Sequence, residues 1–275
     1  MTKETTEAIE CAVIQLCSTP DKEENLAKAS KLITTAAERG AQLIALPENY
    51  SFIGEDADKL KEAEELETGP SVELLREMAL KHQVVIIGGS VPLRAKDPAK
   101  VTNTCLVFNS HGEIIARYDK MHMFDIFLDS ATTYTESKFV EAGDRVVTFK
   151  HLGHTMGLSI CYDVRFPELY RNLSNKGSEV LFVPAAFTIP TGKDHWEVLL
   201  RARAIENQCY VVAPAQWGRH TEKRSSYGRS LVIDPWGQII AQAPDKECII
   251  HAELDFDFLN KVRTQLPALK HRRAL

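Results

Sequence analysis

Gly157-Leu158-Ser159-Ile160-Cys161-Tyr162-Asp163-Val164-Arg165-Phe166-Pro167-Glu168 decides how this chain is read. Residues 155–160 are apolar and β-branched at their end, which predicts a buried strand. Pro167 suits the first turn of a helix, where its missing N–H has no partner to lose. Glu168 follows in that first turn, where the helix dipole favours negative charge. Cys161 therefore stands at a strand–helix junction, after the strand and before a polar turn. Backbone N–H groups and a nearby cation at such a junction lower a thiol pKa and make it a nucleophile. A lone cysteine is otherwise a small buried hydrophobe, so the choice rests on the rest of the chain.

Outward from this stretch the chain alternates strand and helix. Residues 9–17 read as a strand, Asp21 as the cap of a helix over 22–39, and Gly40 as its stop. A short buried strand, 42–46, delivers Pro47-Glu48-Asn49-Tyr50 at its end. A helix capped by Ser71 over 71–81 and an apolar strand over 84–88 complete a layered α/β pattern. The period then changes to an antiparallel hairpin, 101–108 and 113–118, which leads directly into Lys120. Residues 126–143 show no period and read as a long surface loop. The theme recurs after residue 146: strands at 146–150 and 155–160, a helix over 167–176, and a strand at 179–183 feeding Phe187 and Thr188. A helix over 195–207 capped by Asp194, a strand at 210–213, a hairpin around Asp234-Pro235-Trp236-Gly237 and a last strand at 249–254 follow. A short helix and a basic tail close the chain. No linker or low-complexity segment interrupts it, which predicts one domain. The loose two-fold order suits two sheets with helices on both outer faces.

Bulk composition narrows the function. The 275 residues are 44% hydrophobic and 26% charged, with a net charge of −5, which speaks against nucleic acid or an anionic membrane as partner. No apolar run reaches bilayer length. Met1 to Glu10 holds three Glu, one Lys and three Thr and resembles no export or import signal, so a cytoplasmic location is expected. Cys11, Cys17, Cys105, Cys161, Cys209 and Cys248 form no C-x-x-C pair and no zinc spacing, so neither metal nor cofactor is expected.

Glu48, Lys120 and Cys161 each stand at a strand end, where α/β folds assemble their sites. Singly they read as a loop acid, a surface lysine and a core thiol. Together they supply what thiol chemistry needs: a carboxylate base, and a cation that lowers the thiol pKa and meets an oxyanion. The Tyr162 N–H is a second oxyanion donor, and Glu136 is placed to pair with Lys120. Tyr50, Phe187 and Thr188, at neighbouring strand ends, are candidate substrate contacts. A Cys–His arrangement is disfavoured: His154 lies in a turn, His195 begins a helix, and His122 points away from Lys120.

Leu46-Pro47-Glu48, Tyr118-Asp119-Lys120-Met121-His122-Met123-Phe124-Asp125 and 159–168 together resemble the nitrilase superfamily, the carbon–nitrogen hydrolases, along almost the whole chain. The resemblance implies a four-layer αββα sandwich spanning 1–275. It maps a catalytic Glu–Lys–Cys set onto Glu48, Lys120 and Cys161, and a second glutamate onto Glu136. It also implies a homodimer or higher homo-oligomer, with the tail from about 256 to 275 at the interface. The segment 195–206 is similar to the branch containing omega-amidase and deaminated-glutathione amidase, and the pieces Gly218-Arg219-His220, Glu222-Lys223-Arg224, Ser226-Tyr227-Gly228 and Asp234-Pro235-Trp236-Gly237 resemble the latter more. That implies a small acidic amide as substrate, with Arg165 as candidate carboxylate partner; a structural pairing of Arg165 with Glu168 or Asp163 is the alternative. Omega-amidase on 2-oxoglutaramate is the neighbouring activity, and a non-catalytic scaffold the reading from another class. Two departures from the branch stand out. The stretch 126–131 lacks its usual Pro-Gly, and Thr191-Gly192-Lys193-Asp194 lacks its usual Gly-Pro-Ala.

Overall fold

The computed structural model describes residues 8–129 and 132–273. In chain order, β1 (Ala8–Gln15), α1 (Lys22–Glu38), β2 (Leu43–Ala45), α2 (Pro70–His82) and β3 (Val85–Ile87) make the first parallel run. β4 (Val91–Arg94), β5 (Val101–Phe108) and β6 (Ile114–Asp119) extend it with antiparallel strands. β7 (Asp125–Asp129), β8 (Thr132–Thr135) and β9 (Val140–Glu141) follow. The second half holds β10 (Thr148–His151), β11 (His154–Leu158), α3 (Pro167–Asn175), β12 (Val180–Phe182), α4 (Ile189–Asn207) and β13 (Tyr210–Ala213). β14 (Trp217–Arg219), β15 (Ser225–Tyr227), β16 (Leu231–Ile233), β17 (Ile239–Gln242), β18 (Cys248–Asp255) and α5 (Phe256–Gln265) complete it.

Two large sheets result. One runs β18-β1-β2-β3-β5-β4, with β6 and β9 also paired to β5; the other runs β10-β11-β12-β13-β16-β17. The last strand, β18, returns to the first sheet and pairs antiparallel along the whole of β1.

Side-chain alternation sets the layers. Ala12, Ile14, Ile44, Ile86, Leu106 and Phe108 pack with Ile33 of α1 and Leu75 of α2. The intervening Cys11, Val13, Leu43, Ala45, Val85, Ile87, Cys105 and Val107 share a core with Leu158, Phe182 and Val212 of the second sheet. The outer face of that sheet is covered by α3 and α4 through Leu169, Leu173, Trp196 and Leu200. This is the helix–sheet–sheet–helix sandwich that the sequence implies. Each fully buried Leu, Ile or Phe in these layers contributes about 1.5–3 kcal/mol.

Several boundaries differ from expectation. α2 begins at Pro70 with Gly69 as cap, not at a Ser71 cap; the Ser71 hydroxyl instead bonds Glu64 Oε1 at 2.5 Å. α4 begins at Ile189 after Thr188, so Asp194 is interior and caps nothing. Pro190 in the first turn is the signal for that earlier start. Residues 126–143 are not one loop: they hold the β7–β8 hairpin, a 3-10 turn at Glu136–Lys138, and β9. Ser130 and Ala131 of the departing stretch, and Met1 to Glu7, lie outside the described residues. β4 and the β14–β15 hairpin were not foreseen. α5 packs Phe256, Leu259 and Val262 into its own chain, and residues 266–273 follow over the surface.

Candidate active site

Glu48 follows β2 at the end of a constrained turn. Asn49 takes φ 55°, and its N–H donates to Ser90 Oγ at 2.9 Å. Gln216 Nε2 donates to the Glu48 carbonyl at 3.0 Å, so a residue between β13 and β14 fixes the backbone that follows β2. The carboxylate itself is fully engaged. Oε1 accepts from Asn103 Nδ2 at 2.8 Å and from Lys120 Nζ at 3.1 Å, and Oε2 accepts from the Ala186 N–H at 2.8 Å.

Lys120 leaves β6 with its N–H donating to Asn103 O and its carbonyl accepting from Gly143 N–H. Its ammonium bridges two acids, reaching Glu136 Oε1 at 3.0 Å and Oε2 at 2.8 Å in addition to Glu48. Glu136, in the 3-10 turn after β8, is held from the other side by the Phe124 N–H at 2.7 Å. Glu48, Lys120, Glu136 and Cys161 are 3%, 2%, 8% and 7% exposed, so their charges act in a largely dry site.

Cys161 leaves the second sheet past β11. Its N–H donates to Pro184 O at 2.9 Å, and its φ of 49° is a conformation that a residue with a Cβ adopts only under constraint. A 3-10 turn, Cys161–Arg165, runs from it into α3. Tyr162 lies in the first turn of that short helix, where an N–H has no partner inside the helix. The constraint comes from Asp163, which is fully buried. It accepts from Tyr118 OH at 2.6 Å, Ile160 N–H at 2.8 Å, His122 N–H at 3.1 Å and His122 Nδ1 at 2.7 Å. His122 in turn stacks on Phe166 at 3.7 Å.

The electrostatics reverse one expectation. Burial and the Glu48 carboxylate push the Cys161 thiol well above its ordinary range, and Lys120, pulling the other way, does not offset them. Burial works against the Lys120 ammonium, but Glu136 and Glu48 outweigh it and hold its pKa well above the ordinary value. Burial likewise opposes the Glu136 carboxylate, and Lys120 and Lys59 overcome it to hold its pKa below the usual range. The resting site is thus a protonated thiol beside a fixed ammonium.

These groups line a cleft of about 510 Å³, counting its open mouth, together with Asn49, Asp56, Lys59, Phe124, Tyr134, Tyr162, Phe187, Thr188, Thr191 and Arg224. Of the candidate substrate contacts, Phe187, Thr188 and Tyr162 line this cleft. Tyr50 does not: it is fully buried between the first sheet and its helices, with its hydroxyl donating to Ser71 O at 2.6 Å. The left-handed Asn49 turns the chain away from the cleft before Tyr50 is reached. Arg165 does not line the cleft either. Its guanidinium lies 5.6 Å from the Tyr162 ring and 5.4 Å from the Phe187 ring, with Nη1 3.3 Å from His195 Nδ1. Neither Glu168 nor Asp163 pairs with it among the described residues. Asn103 and Lys59 are not singled out by the sequence, whereas Asp163 and Arg224 stand inside stretches that carry the resemblance and have no site role of their own there. Asn103 carries a signal, as an amide inside an otherwise apolar and hydroxylic strand; Lys59 stands in a polar loop and carries none. Among the described residues no group of three or more His, Cys, Asp or Glu is placed to hold a metal, and no helix is long and apolar enough to cross a membrane.

Comparison with known proteins finds relatives along nearly the whole chain. The chain is 48% identical over 264 residues to the deaminated glutathione amidase of Synechocystis, covering 95% of this chain and 97% of that one. It is 37% identical over 268 residues to omega-amidase NIT2 of Xenopus tropicalis, covering 95% and 94%. Nit3 of Saccharomyces cerevisiae, a member of branch 10 of the nitrilase superfamily, superposes with a TM-score of 0.89 at 33% identity over 99% of both chains. The carbon–nitrogen hydrolase profile matches residues 10–264, a span that takes in both sheets and every residue of the cleft, and the chain belongs to the carbon–nitrogen hydrolase family.

Proposed function

We propose that the protein is a thiol amidohydrolase that cleaves deaminated glutathione to 2-oxoglutarate and cysteinylglycine. The observation that carries this reading is the convergence of Glu48, Lys120 and Cys161 in one buried cleft, with Lys120 bonded to two carboxylates. The names of the relatives support the choice of substrate.

The roles follow from the charges. A thiol held protonated needs a base as it attacks, and Glu48 is the carboxylate that acts on it. Lys120 keeps its proton, so it donates to an oxyanion and does not act as base. Cys161 Sγ bonds to the amide carbon while its proton passes to Glu48. The oxyanion is met by Lys120 Nζ and the Tyr162 N–H. Collapse breaks the C–N bond, and Glu48 returns the proton to the departing amine. Water then attacks the thioester with Glu48 again taking a proton. Collapse breaks the C–S bond, the Cys161 sulfur takes the proton back from Glu48, and the carboxylic acid is released with the thiol restored. Glu136 holds Lys120 between the two acids throughout.

Arg165 is our candidate for the carboxylate of the 2-oxo acid, its guanidinium standing 5.6 and 5.4 Å from the Tyr162 and Phe187 rings that line the cleft. An Arg165→Lys enzyme is expected to raise KM, because lysine lacks the bidentate fork; an unchanged KM removes the role. Omega-amidase action on 2-oxoglutaramate is the second reading, favoured by the NIT2 relative. The intact Glu–Lys–Cys set argues against a scaffold. The deciding experiment compares kcat/KM on deaminated glutathione, 2-oxoglutaramate and a simple nitrile. Cys161→Ala and Glu48→Gln should each abolish turnover, the second because the protonated thiol loses the base that both thioester formation and its hydrolysis need. Full activity of either variant rejects the mechanism.

We also propose a homodimer and a cytoplasmic location. Val198 and Ile205, on one face of α4, are 66% and 49% exposed, and Trp236, which precedes the Gly237 that lies against Ile205, is 51% exposed, an apolar surface suited to a second copy. A nucleophilic thiol has to stay reduced to work, which suits the cytoplasm.

A further inference from the structure

The reacting end of the cleft is short of positive charge for an acidic substrate. With the thiol protonated, Glu48 and Glu136 contribute −2 and Lys120 +1, a sum of −1. The compensation comes from the wall formed by Lys59 and Arg224. Lys59 follows the 3-10 turn Asp56–Asp58, and Arg224 precedes β15. Both reach the same carboxylate oxygen: Lys59 Nζ and Arg224 Nη1 each lie 2.9 Å from Asp56 Oδ1. Arg224 Nη1 is further tied to Gly54 O at 2.9 Å. Burial opposes the Asp56 charge, but the two cations outweigh it and keep the carboxyl below its usual range. Two fixed positive charges against one negative leave a surplus of +1, and the Lys59 side chain is only 9% exposed. An ammonium has three donors and a guanidinium five, so both side chains retain donors for a second carboxylate.

The shape agrees with the charge. Beyond Arg224 the cleft continues into a second lobe of about 370 Å³, counting its open side, walled by Ile53, His220, Ser225 and Ser226. Arg224 and Thr188 border both lobes. If the departing group were ammonia, this lobe and its hydroxyls would serve no part of the substrate.

We propose that Lys59 and Arg224, braced by Asp56, form a carboxylate subsite for the leaving-group half of the substrate, and that the enzyme selects amides whose departing amine carries a free acid. This rests on the amidohydrolase reading above and adds to it the feature that separates a peptide-like amide from a primary one. Binding energy gained on the remote acid is realised only in substrates that have it, and it appears in kcat/KM.

The test uses three substrates with one acyl half: deaminated glutathione, the same compound ending in glycinamide, and 2-oxoglutaramate. Wild-type enzyme is expected to favour the free acid over the glycinamide by on the order of tenfold or more, the value of a charge-assisted pair at a partly buried site. In Arg224→Met and in Lys59→Met that ratio is expected to fall toward one, with Arg224→Lys intermediate. Both rates come from one preparation, so a smaller folded fraction cancels. A wild-type ratio near one, or a ratio that survives both methionine variants, overturns the subsite. Equal losses on deaminated glutathione and 2-oxoglutaramate would place these cations on the acyl half and overturn it too. If none of the three compounds turns over, the amidohydrolase reading itself falls; if 2-oxoglutaramate turns over without acid preference elsewhere, only the subsite does.

Discussion

Asp163→Asn tests whether the nucleophile's strained backbone is held by hydrogen bonding. The change is isosteric, so packing is kept and only donors and acceptors alter. Asp163 Oδ2 accepts from Tyr118 OH and Ile160 N–H, and Oδ1 from the His122 N–H and Nδ1. A carboxamide has one acceptor oxygen. Turned toward Ile160, it keeps that N–H but sets an NH₂ against the His122 N–H, now 3.1 Å from another donor. Turned the other way, it orphans the Ile160 N–H, one residue before the nucleophile. Either choice leaves one buried donor unpaired and weakens the remaining bonds by removing charge, a cost of about 2–4 kcal/mol. For a chain of this size that is a fall in Tm of about 5–12 °C. The functional effect should be larger than the thermal one. Cys161 sits at φ 49° because the turn around Asp163 holds it there, and a misplacement of about 1 Å costs on the order of 10²-fold in rate. The assay is kcat and KM on 2-oxoglutaramate beside a thermal melt. A drop in kcat with KM little changed marks a positioning residue. A Tm loss with kcat within about twofold of wild type refutes the positioning argument, and no change in either refutes the hydrogen-bond accounting as well.

Other consequences follow from the same geometry. Lys120→Met leaves two buried acids without their cation and should cost about 3–5 kcal/mol near neutral pH. Because the Glu136 pKa is lowered in the fold, its contribution is complete above its ordinary 4.5 and is lost as pH falls through the lowered value. The melting difference between wild type and Lys120→Met should therefore shrink from about pH 7 to about pH 3; a gap independent of pH contradicts the pairing. Gly89→Ala drives a Cβ into the Pro47 carbonyl at a φ of 57°, so the Glu48 turn has to move, and kcat should fall at least about tenfold even in the folded fraction. Wild-type kcat in that variant would mean the turn is not needed in its present place. Tyr50→Phe removes only the bond to Ser71 O, with an expected stability loss of about 0.5–1.5 kcal/mol and kcat/KM within about twofold of wild type; a large KM change would return Tyr50 to the substrate.

What was legible in the sequence, and what was not, divides along a physical line. Cys161 and Glu48 could be found because each interrupts an apolar run at the point where a buried strand must end, and Lys120 because it closes the second strand of a hairpin, so local pattern and site position coincide. The layers were legible for the same reason: Ala12 and Ile14 against Cys11 and Val13 is a period of two that is filled on both faces. The β7–β8 hairpin was not, since its Phe127 is 73% exposed and one buried face is what makes a strand visible. Tyr50 failed through a single backbone angle at Asn49, which no side-chain pattern encodes. The net direction of the thiol's pKa shift was not legible for a different reason. Sequence supplies the cation that lowers its pKa but not the depth of burial or the closeness of Glu48, and those outweigh it. Lys59 and Arg224 are the extreme case, lying far apart in the chain and joined only through one oxygen of Asp56. The chemistry that breaks the amide is thus written in motifs because it needs strand ends. The chemistry that would choose the amine is written in loops, where only the folded chain brings the charges together, and so a change of leaving group can occur while every catalytic motif is left intact.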